Sequence, residues 1–116
     1  MYQINKNLKL AETLPADFYR NPATWEASKE RIFARSWQYL GDEQRLFAGP
    51  ENLYPLTLLD NYLTEPLLLS RTDAGVKCLS NVCTHRGMLM AQHPTKARKI
   101  VCPYHGRRFG LDGQFE

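Results

Sequence analysis

Two short segments near the end of the chain carry residues that can bind metal. They are Cys83-Thr84-His85-Arg86-Gly87 and Cys102-Pro103-Tyr104-His105-Gly106, which read C-x-H, then sixteen residues, then C-x-x-H. They use two of the three cysteines and two of the three histidines. In each turn a thiolate and an imidazole can point at one metal centre, and the glycine after each histidine lets the backbone fold back close to it. Such a donor set suits either a tetrahedral zinc ion or a two-iron cluster with cysteines on one iron and histidines on the other.

The residues before these segments predict an arm and a helix. Residues 1–20 predict an extended arm in which Pro15 breaks any early helix, and Asn21-Pro22 predicts the start of a helix that runs to about Arg35. Apolar residues at helical spacing predict a stripe that packs into the core. The stripe consists of Trp25, Ile32, Phe33 and Trp37.

Short apolar runs between turn residues predict strands over the rest of the chain. The predicted strands are 37–40, 54–59, 66–71, 76–82, 99–101 and 107–111. Asp73-Ala74-Gly75 and Asp112-Gly113 predict tight turns, the second opening a hairpin whose return strand has only Phe115-Glu116. The pattern predicts a mostly β chain with a small antiparallel β domain at 41–116, after an arm and helix at 1–40. We expect this β domain to be truncated before its closing strands.

Composition excludes several classes of protein. The 116 residues include fifteen basic and twelve acidic side chains, a net charge of +3 that is dispersed along the chain. This distribution predicts no nucleic-acid partner and no membrane partner, and no apolar run is long enough to span a bilayer. With two cysteines assigned to metal, no disulfide framework remains, which is typical of the reducing cytoplasm.

Ten positions in the two metal-binding segments resemble the two cluster-binding loops of Rieske proteins. The order of parts further resembles the alpha subunit of Rieske non-haem iron ring-hydroxylating oxygenases. The resemblance extends from about Leu14 to the end and rests on Ile32-Phe33-Ala34-Arg35-Ser36-Trp37-Gln38, on Asn81-Val82-Cys83-Thr84-His85-Arg86-Gly87, and on Cys102-Pro103-Tyr104-His105-Gly106 with Asp112-Gly113. The N-terminal segment looks similar to that of choline monooxygenase-type members. The chain departs from the family at Arg107, where tryptophan commonly follows the second histidine loop.

A second comparison separates this chain from the Rieske proteins of quinol-oxidising membrane complexes. Those proteins carry an extra cysteine in each loop, at positions that are Met88 and Tyr104 here. They also place hydroxyl side chains near the cluster, where this chain has Arg107 and Phe109. Fewer hydrogen bonds to sulfur predict a potential at the low end of the Rieske range, on the order of −150 mV.

The resemblance implies a role for each matching residue. Cys83 and Cys102 would hold one iron of a [2Fe-2S] cluster, and His85 and His105 would hold the other, with His105 as the electron exit. Electrons would arrive from a reductase or ferredoxin and pass to a mononuclear non-haem Fe(II) that activates dioxygen in a catalytic domain outside this sequence. The family is commonly trimeric. This oxidoreductase fragment alone should carry electrons and hydroxylate nothing.

Two other functions remain open at this stage. The chain could be a stand-alone Rieske ferredoxin-type electron carrier, or a zinc-binding structural module. Four further residues have weaker claims to a role. Cys78 is predicted to be a packed thiol and His93 a solvated surface residue, whereas Arg86 could face either the cluster or solvent. Tyr104 could pack beneath the cluster or donate a hydrogen bond.

Overall fold

Three strands in the middle of the chain pair in sequence order. The structure, a computed structural model, describes residues 2–116. The strands are β1 (Leu53–Leu58), β2 (Glu65–Thr72) and β3 (Gly75–Ser80). They form one antiparallel sheet in the order β1-β2-β3, with Leu68 of β2 opposite Pro55 of β1 and Leu79 of β3. Pro55 is tolerated because β1 lies at an edge of the sheet, where a missing backbone donor breaks no inner ladder.

A second, two-stranded sheet completes the β unit. It pairs β4 (Ile100–Val101) with β5 (Arg108–Phe109), and Ile100 lies opposite Phe109. The buried core joins the two sheets: Leu53 and Leu68 come from the first, and Ile100 and Phe109 from the second. The first metal-binding segment begins just beyond β3, and the second begins directly after β4. The shared core therefore positions both segments.

The predicted fold class is confirmed, because both sheets are antiparallel and the four residues of the buried core cluster all lie on their strands. The predicted strands at 54–59, 66–71 and 76–82 correspond to β1, β2 and β3 within two residues at each end. Gly75, the first residue of β3 directly after the tight turn, has φ +105°, a conformation that a side chain would strain. The predicted strands at 99–101 and 107–111 correspond to β4 and β5, each shorter than expected.

The helical prediction was right at its start and wrong at its end. Helix α2 is Pro22–Arg31, and the Asn21 side chain accepts a hydrogen bond from the Ala23 N–H, as an N-cap should. The helix ends four residues before the predicted position, and a 3₁₀ turn follows at Phe33–Arg35. There the Arg35 side chain donates to the carbonyl of Glu30, which satisfies an end group of the helix.

Two other local predictions were wrong. Residues 1–20 are not an uninterrupted arm, because a short helix, α1 (Ala16–Arg20), begins directly after Pro15. Proline before the first turn sacrifices no helical hydrogen bond, so it can precede a helix as well as break one. Residues 37–40 form no strand, because no other described segment pairs with them. Asp42 instead caps a third helix, α3 (Glu43–Leu46), through the Gln44 N–H.

The predicted burial of the tryptophans is contradicted. Trp25 is 52% exposed and Trp37 fully exposed, and α2 contains no buried residue. The helical stripe is therefore not a core contact in this structure. The described residues divide into two compact units, one ending at Gln38 and the other spanning Tyr39–Glu116. Over residues 2–116, no helix combines the length and the apolar character needed to cross a membrane.

Candidate metal centre

Two loops with the same backbone hydrogen bonds carry the candidate ligands. We define the first loop as residues 83–88 and the second as residues 102–107. In the first loop, the Cys83 N–H donates to Met88 over 2.8 Å, and the Gly87 N–H donates to Cys83 over 3.0 Å. In the second, the corresponding bonds join Cys102 to Arg107 and Gly106 to Cys102, at the same two distances. Each loop is therefore a closed turn that begins at its cysteine.

The residues on either side of the loops extend this equivalence. Val82 bridges Leu89 across the neck of the first loop, just as Val101 pairs with Arg108 across the second. A shift of nineteen residues, from Cys83 to Cys102, maps one loop onto the other. The sequence signal for this relation is a valine-cysteine pair followed four residues later by glycine, which occurs in both segments and which the sequence analysis missed.

The histidines occupy different places in this common frame. His85 is the second residue after its cysteine, whereas His105 is the third. The loop glycines have the same conformation, with φ +70° at Gly87 and +72° at Gly106. Apart from the adjacent residues in the chain, no described atom lies within 4 Å of an added Cβ at either glycine. The glycines are therefore explained by their left-handed backbone, and contact with protein atoms does not require them.

The structure brings the four predicted ligands together as two pairs. Cys83 and Cys102 are 2% and 3% exposed, and the Cys83 side chain is a hydrogen-bond partner of the Cys102 thiol. His85 and His105 are exposed, with ring centroids 4.9 Å apart. Each loop contributes one member to each pair. A buried pair of thiols and an exposed pair of imidazoles therefore lie side by side.

The surroundings of Cys102 favour its thiolate. The pKa of this thiol lies below its ordinary value, chiefly because the backbone N–H of Tyr104 donates to the sulfur. Burial opposes this effect, and the N–H of His105, the Cys83 side chain and the positive charge of Arg107 add to it. Because the thiolate is the form that binds metal, the second loop is arranged to supply a metal ligand.

The exposed rings lie at an open recess on the surface of the β unit. Its volume is about 360 Å³, and its lining includes both histidine rings, Arg107, Arg108 and Phe115. The Tyr104 ring stacks against His105 with centroids 3.8 Å apart and is itself 58% exposed. Tyr104 therefore packs beside an imidazole at the surface, which limits the orientations available to that ring.

The side chain of Arg107 links the loops. It is half-buried, and its guanidinium donates to the Thr84 hydroxyl over 2.9 Å. The guanidinium carbon also lies 5.0 Å from the centroid of the Phe115 ring. Thr84 stands between Cys83 and His85, so this bond attaches the second loop to the ligand-bearing turn of the first.

Two asparagines hold the segment that connects the loops. The sequence motif included Asn81 without assigning it a role, and it did not include Asn52. The amide of Asn81, 3% exposed, donates to the Ala91 carbonyl over 2.7 Å and accepts from its N–H over 2.9 Å. The Asn52 amide makes the same two bonds with Ala97, at 2.9 and 2.8 Å. An amide side chain can replace a neighbouring peptide group in this way. No sequence signal identifies Asn52, which is 45 residues from its partner.

The remaining candidates lie apart from this centre. Cys78 is an exposed residue on β3, which contradicts the predicted packed thiol, although partial burial of its sulfur raises its pKa. Cys78 lies on β3, an outer strand of its sheet, and pairs there with Leu69 of β2. His93 is exposed, as predicted, and Arg86 is exposed as well.

No single-ion cage is present in the part of the chain that the structure describes. Among residues 2–116, no group of three or more His, Cys, Asp or Glu side chains could hold one metal ion. The four candidate ligands are instead divided into a thiol pair and an imidazole pair. This division suits a group with two metal atoms, one of which the thiolates would bind and the other the imidazoles.

Comparison with known protein families identifies the class. The family described as Rieske [2Fe-2S] domain matches residues 37–116. This match covers both loops and both sheets, so the chain belongs to the Rieske [2Fe-2S] domain family.

The similar proteins are Rieske oxygenases. Choline monooxygenase of Spinacia oleracea is 38% identical over 104 residues, which cover 89% of this chain and 23% of the spinach protein. The carnitine monooxygenase oxygenase subunit of Escherichia coli K12 is 34% identical over 109 residues, covering 92% of this chain and 28% of the subunit. The chain therefore spans about a quarter of the length of these relatives.

A solved structure agrees with the sequence comparisons. The quaternary ammonium Rieske monooxygenase CntA, in complex with an inhibitor, superposes with a TM-score of 0.73 and 31% identity. The superposition covers 95% of this chain and 30% of CntA. The chain thus has the fold of the corresponding part of a Rieske monooxygenase.

Proposed function

We propose that Cys83 and Cys102 hold one iron of a [2Fe-2S] cluster and that His85 and His105 hold the other. The observation that carries this proposal is the division of the four side chains into a buried thiol pair and an exposed imidazole pair. A Rieske cluster requires this donor set, with two cysteines at one iron and two histidines at the other. A tetrahedral zinc site would need all four donors around one point.

When bound, the cluster supplies reversible one-electron transfer. The chain's own residues confine this transfer to one end of the site. The thiols are shielded from water, whereas the imidazole rings reach the surface, so an electron can leave or enter at the exposed end. We assign the exit to His105, whose ring is held by Tyr104 at a centroid distance of 3.8 Å.

The domain serves, in this proposal, a Rieske oxygenase. Residues 41–116 form the cluster domain, and residues 1–40 form the arm and helices before it. The cluster would pass electrons to a mononuclear non-haem iron in a catalytic domain outside these residues, as the similarity to monooxygenase subunits supports. A reductase or ferredoxin would supply the electrons in the cytoplasm, and the complete oxygenase would be a homo-oligomer, with a trimer expected.

The substrate class we propose is a quaternary ammonium compound. The similar proteins carry the names choline, carnitine and glycine betaine monooxygenase, and the similar solved structure is of a quaternary ammonium monooxygenase. An oxygenase containing this chain, supplied with electrons by a reductase or ferredoxin, should consume dioxygen with choline, carnitine or glycine betaine. Consumption with naphthalene but with none of the three cations would overturn this assignment.

The donor would meet a basic surface around the histidines. Arg86 and Arg108 are exposed, and Arg107 and Arg108 line the recess with both rings. Its one carboxylate, Glu116, forms an ion pair with Lys99, so the charge around the rings is positive on balance. An electron donor with an acidic face is complementary to this surface. Reduction of the cluster by such a donor should therefore slow as ionic strength rises. A rate independent of salt would contradict a charge-guided encounter.

Electron paramagnetic resonance of the dithionite-reduced protein tests the cluster directly. The oxidised protein should contain about two irons and two acid-labile sulfides per chain. After reduction it should give a rhombic signal with an average g below that of an all-cysteine cluster. A colourless, redox-silent protein that retains zinc would overturn the proposal.

Substitutions then identify the ligands. Serine at Cys83 or Cys102 should abolish the signal of the native cluster, because a hydroxyl, which stays protonated near neutral pH, is a much poorer iron ligand than a thiolate. Cys78→Ser is the matched control, since Cys78 is the third cysteine and lies on β3 outside the loops. An unchanged signal is expected in this control. Loss of the cluster in Cys78→Ser with retention in Cys83→Ser would reverse the assignment.

A further inference from the structure

We infer that Arg107 is a positioning residue of the metal centre, holding the second loop to the first through Thr84 and placing a positive charge beside the bound group. The inference rests on the proposed cluster ligands. Its geometric basis is the 2.9 Å hydrogen bond from the guanidinium to the Thr84 hydroxyl. Because Thr84 adjoins both Cys83 and His85, the bond constrains the turn that carries one thiol and one imidazole.

Arg107 is bound to its own loop at the same time. Its carbonyl accepts the 2.8 Å hydrogen bond from the Cys102 N–H that closes the second loop. One residue therefore closes one loop with its backbone and holds the other with its side chain. In the first loop the equivalent position is Met88, which supplies the carbonyl but carries no charge.

The charge of Arg107 has no acidic partner in the part of the chain described. Among residues 2–116, the ion pairs join Lys29 to Glu26 and Lys99 to Glu116, and neither involves Arg107. The guanidinium lies over the Phe115 ring and lines the recess beside both histidines. A half-buried cation is screened less by solvent than an exposed one, so its field at the centre is stronger.

The sign of the effect follows from charge. One-electron reduction makes the bound group one charge more negative, and the Arg107 cation stabilises the added charge. Arg107 should therefore raise the midpoint potential. Its removal should shift the electron-sharing equilibrium with a fixed donor about three- to tenfold towards the oxidised form. This shift corresponds to about 30 to 60 mV for one electron, since tenfold is about 59 mV.

Redox titration of the full chain, purified with its cluster, tests the charge. Arg107→Gln should lower the midpoint potential by about 30 to 60 mV. Arg107→Lys keeps the charge and should lower the potential by less than half as much. Arg108→Gln is the matched control, because it removes a neighbouring but exposed cation. A shift in Arg107→Gln no larger than that in Arg108→Gln would overturn the inference about charge.

Thr84→Val tests the positioning role, since it removes the acceptor of the guanidinium and preserves the shape of the side chain. This variant should release iron faster on heating than the wild type, whereas its midpoint potential should stay close to the wild-type value. An iron-release rate equal to wild type would overturn the positioning role. If Arg107→Gln fails to retain iron, Arg107→Lys and Thr84→Val decide, and wild-type values in both contradict the inference. A wild-type chain without iron would instead contradict the proposed function.

Discussion

The first and second loops have the same backbone and different supports. The same two hydrogen bonds close each turn, and the glycine φ angles differ by only two degrees. The second loop connects two paired strands, β4 and β5. The residues that flank the first loop are joined by a single bridge, between Val82 and Leu89. The buried amide of Asn81 provides the additional support, because it makes two hydrogen bonds with Ala91 just beyond the first loop.

The backbone and the side chains of the two loops have separate roles. The backbone of each loop brings a cysteine into the interior and exposes the residues that follow. The side chains then differ within the same frame: His85 corresponds to Tyr104, and Arg86 to His105. The two rings nevertheless meet at 4.9 Å. One turn can therefore present its imidazole from either of two adjacent positions, provided that the opposite loop is placed to match.

The largest expected effect comes from exchanging a histidine. His85→Ala and His105→Ala should each abolish the mixed-ligand paramagnetic signal, because each removes one of only two nitrogen donors at the exposed end. His93→Ala is the control, since His93 is exposed in the connecting segment. Retention of a wild-type signal in one of the two loop variants would break the equivalence of the loops.

The next largest effect concerns the support of the first loop. Asn81→Ala should lower the free energy of unfolding by about 2–3 kcal/mol, because it leaves the Ala91 N–H and carbonyl without their buried partner. Asn52→Ala removes the same two bonds at a half-buried site and should cost less, about 1–2 kcal/mol. Chemical denaturation measures both. Equal costs would show that burial of Asn81 adds nothing to its role.

The loop glycines should respond alike. Gly87→Ala and Gly106→Ala should each cost about 1–2 kcal/mol, because alanine is strained at the left-handed φ that both positions adopt. Thermal unfolding of the two variants under identical conditions measures the difference between them. A difference larger than roughly 1 kcal/mol between the two variants would mean that the loops have the same shape but differ in rigidity. Gly49→Ala is the control, because its glycine has an ordinary φ and the added methyl group would meet only the carboxylate end of the flexible Glu51 side chain.

The smallest effect concerns the residue after each cysteine. Pro103→Ala should cost about 0.4–1 kcal/mol, because proline limits the conformations of the unfolded chain. Thr84→Ala at the equivalent position loses the hydrogen bond from Arg107 but no backbone restriction. Both variants should retain iron at room temperature, so the loops can be compared in the folded state. Loss of iron in Pro103→Ala would assign the second loop a rigidity that the first does not need.

Local sequence predicted much of this protein. The strands around β2 and β3 could be identified because turn residues and apolar runs are short-range signals. The start of α2 could be identified because Asn21 caps it through its own neighbour Ala23. The four candidate ligands could be named because each cysteine and histidine pair lies within one turn, where spacing alone limits the geometry.

Tertiary structure decided the rest. Residues 37–40 have the pattern of a strand but no partner among the described residues, and a strand exists only through its pairing. The exposure of Trp25 depends on which surfaces meet the helix, which its apolar spacing does not specify. The bond between Arg107 and Thr84 joins residues 23 apart, and the pair formed by Asn52 and Ala97 spans 45. Such contacts form only when the sheets bring distant segments together, so no local sequence pattern could predict them.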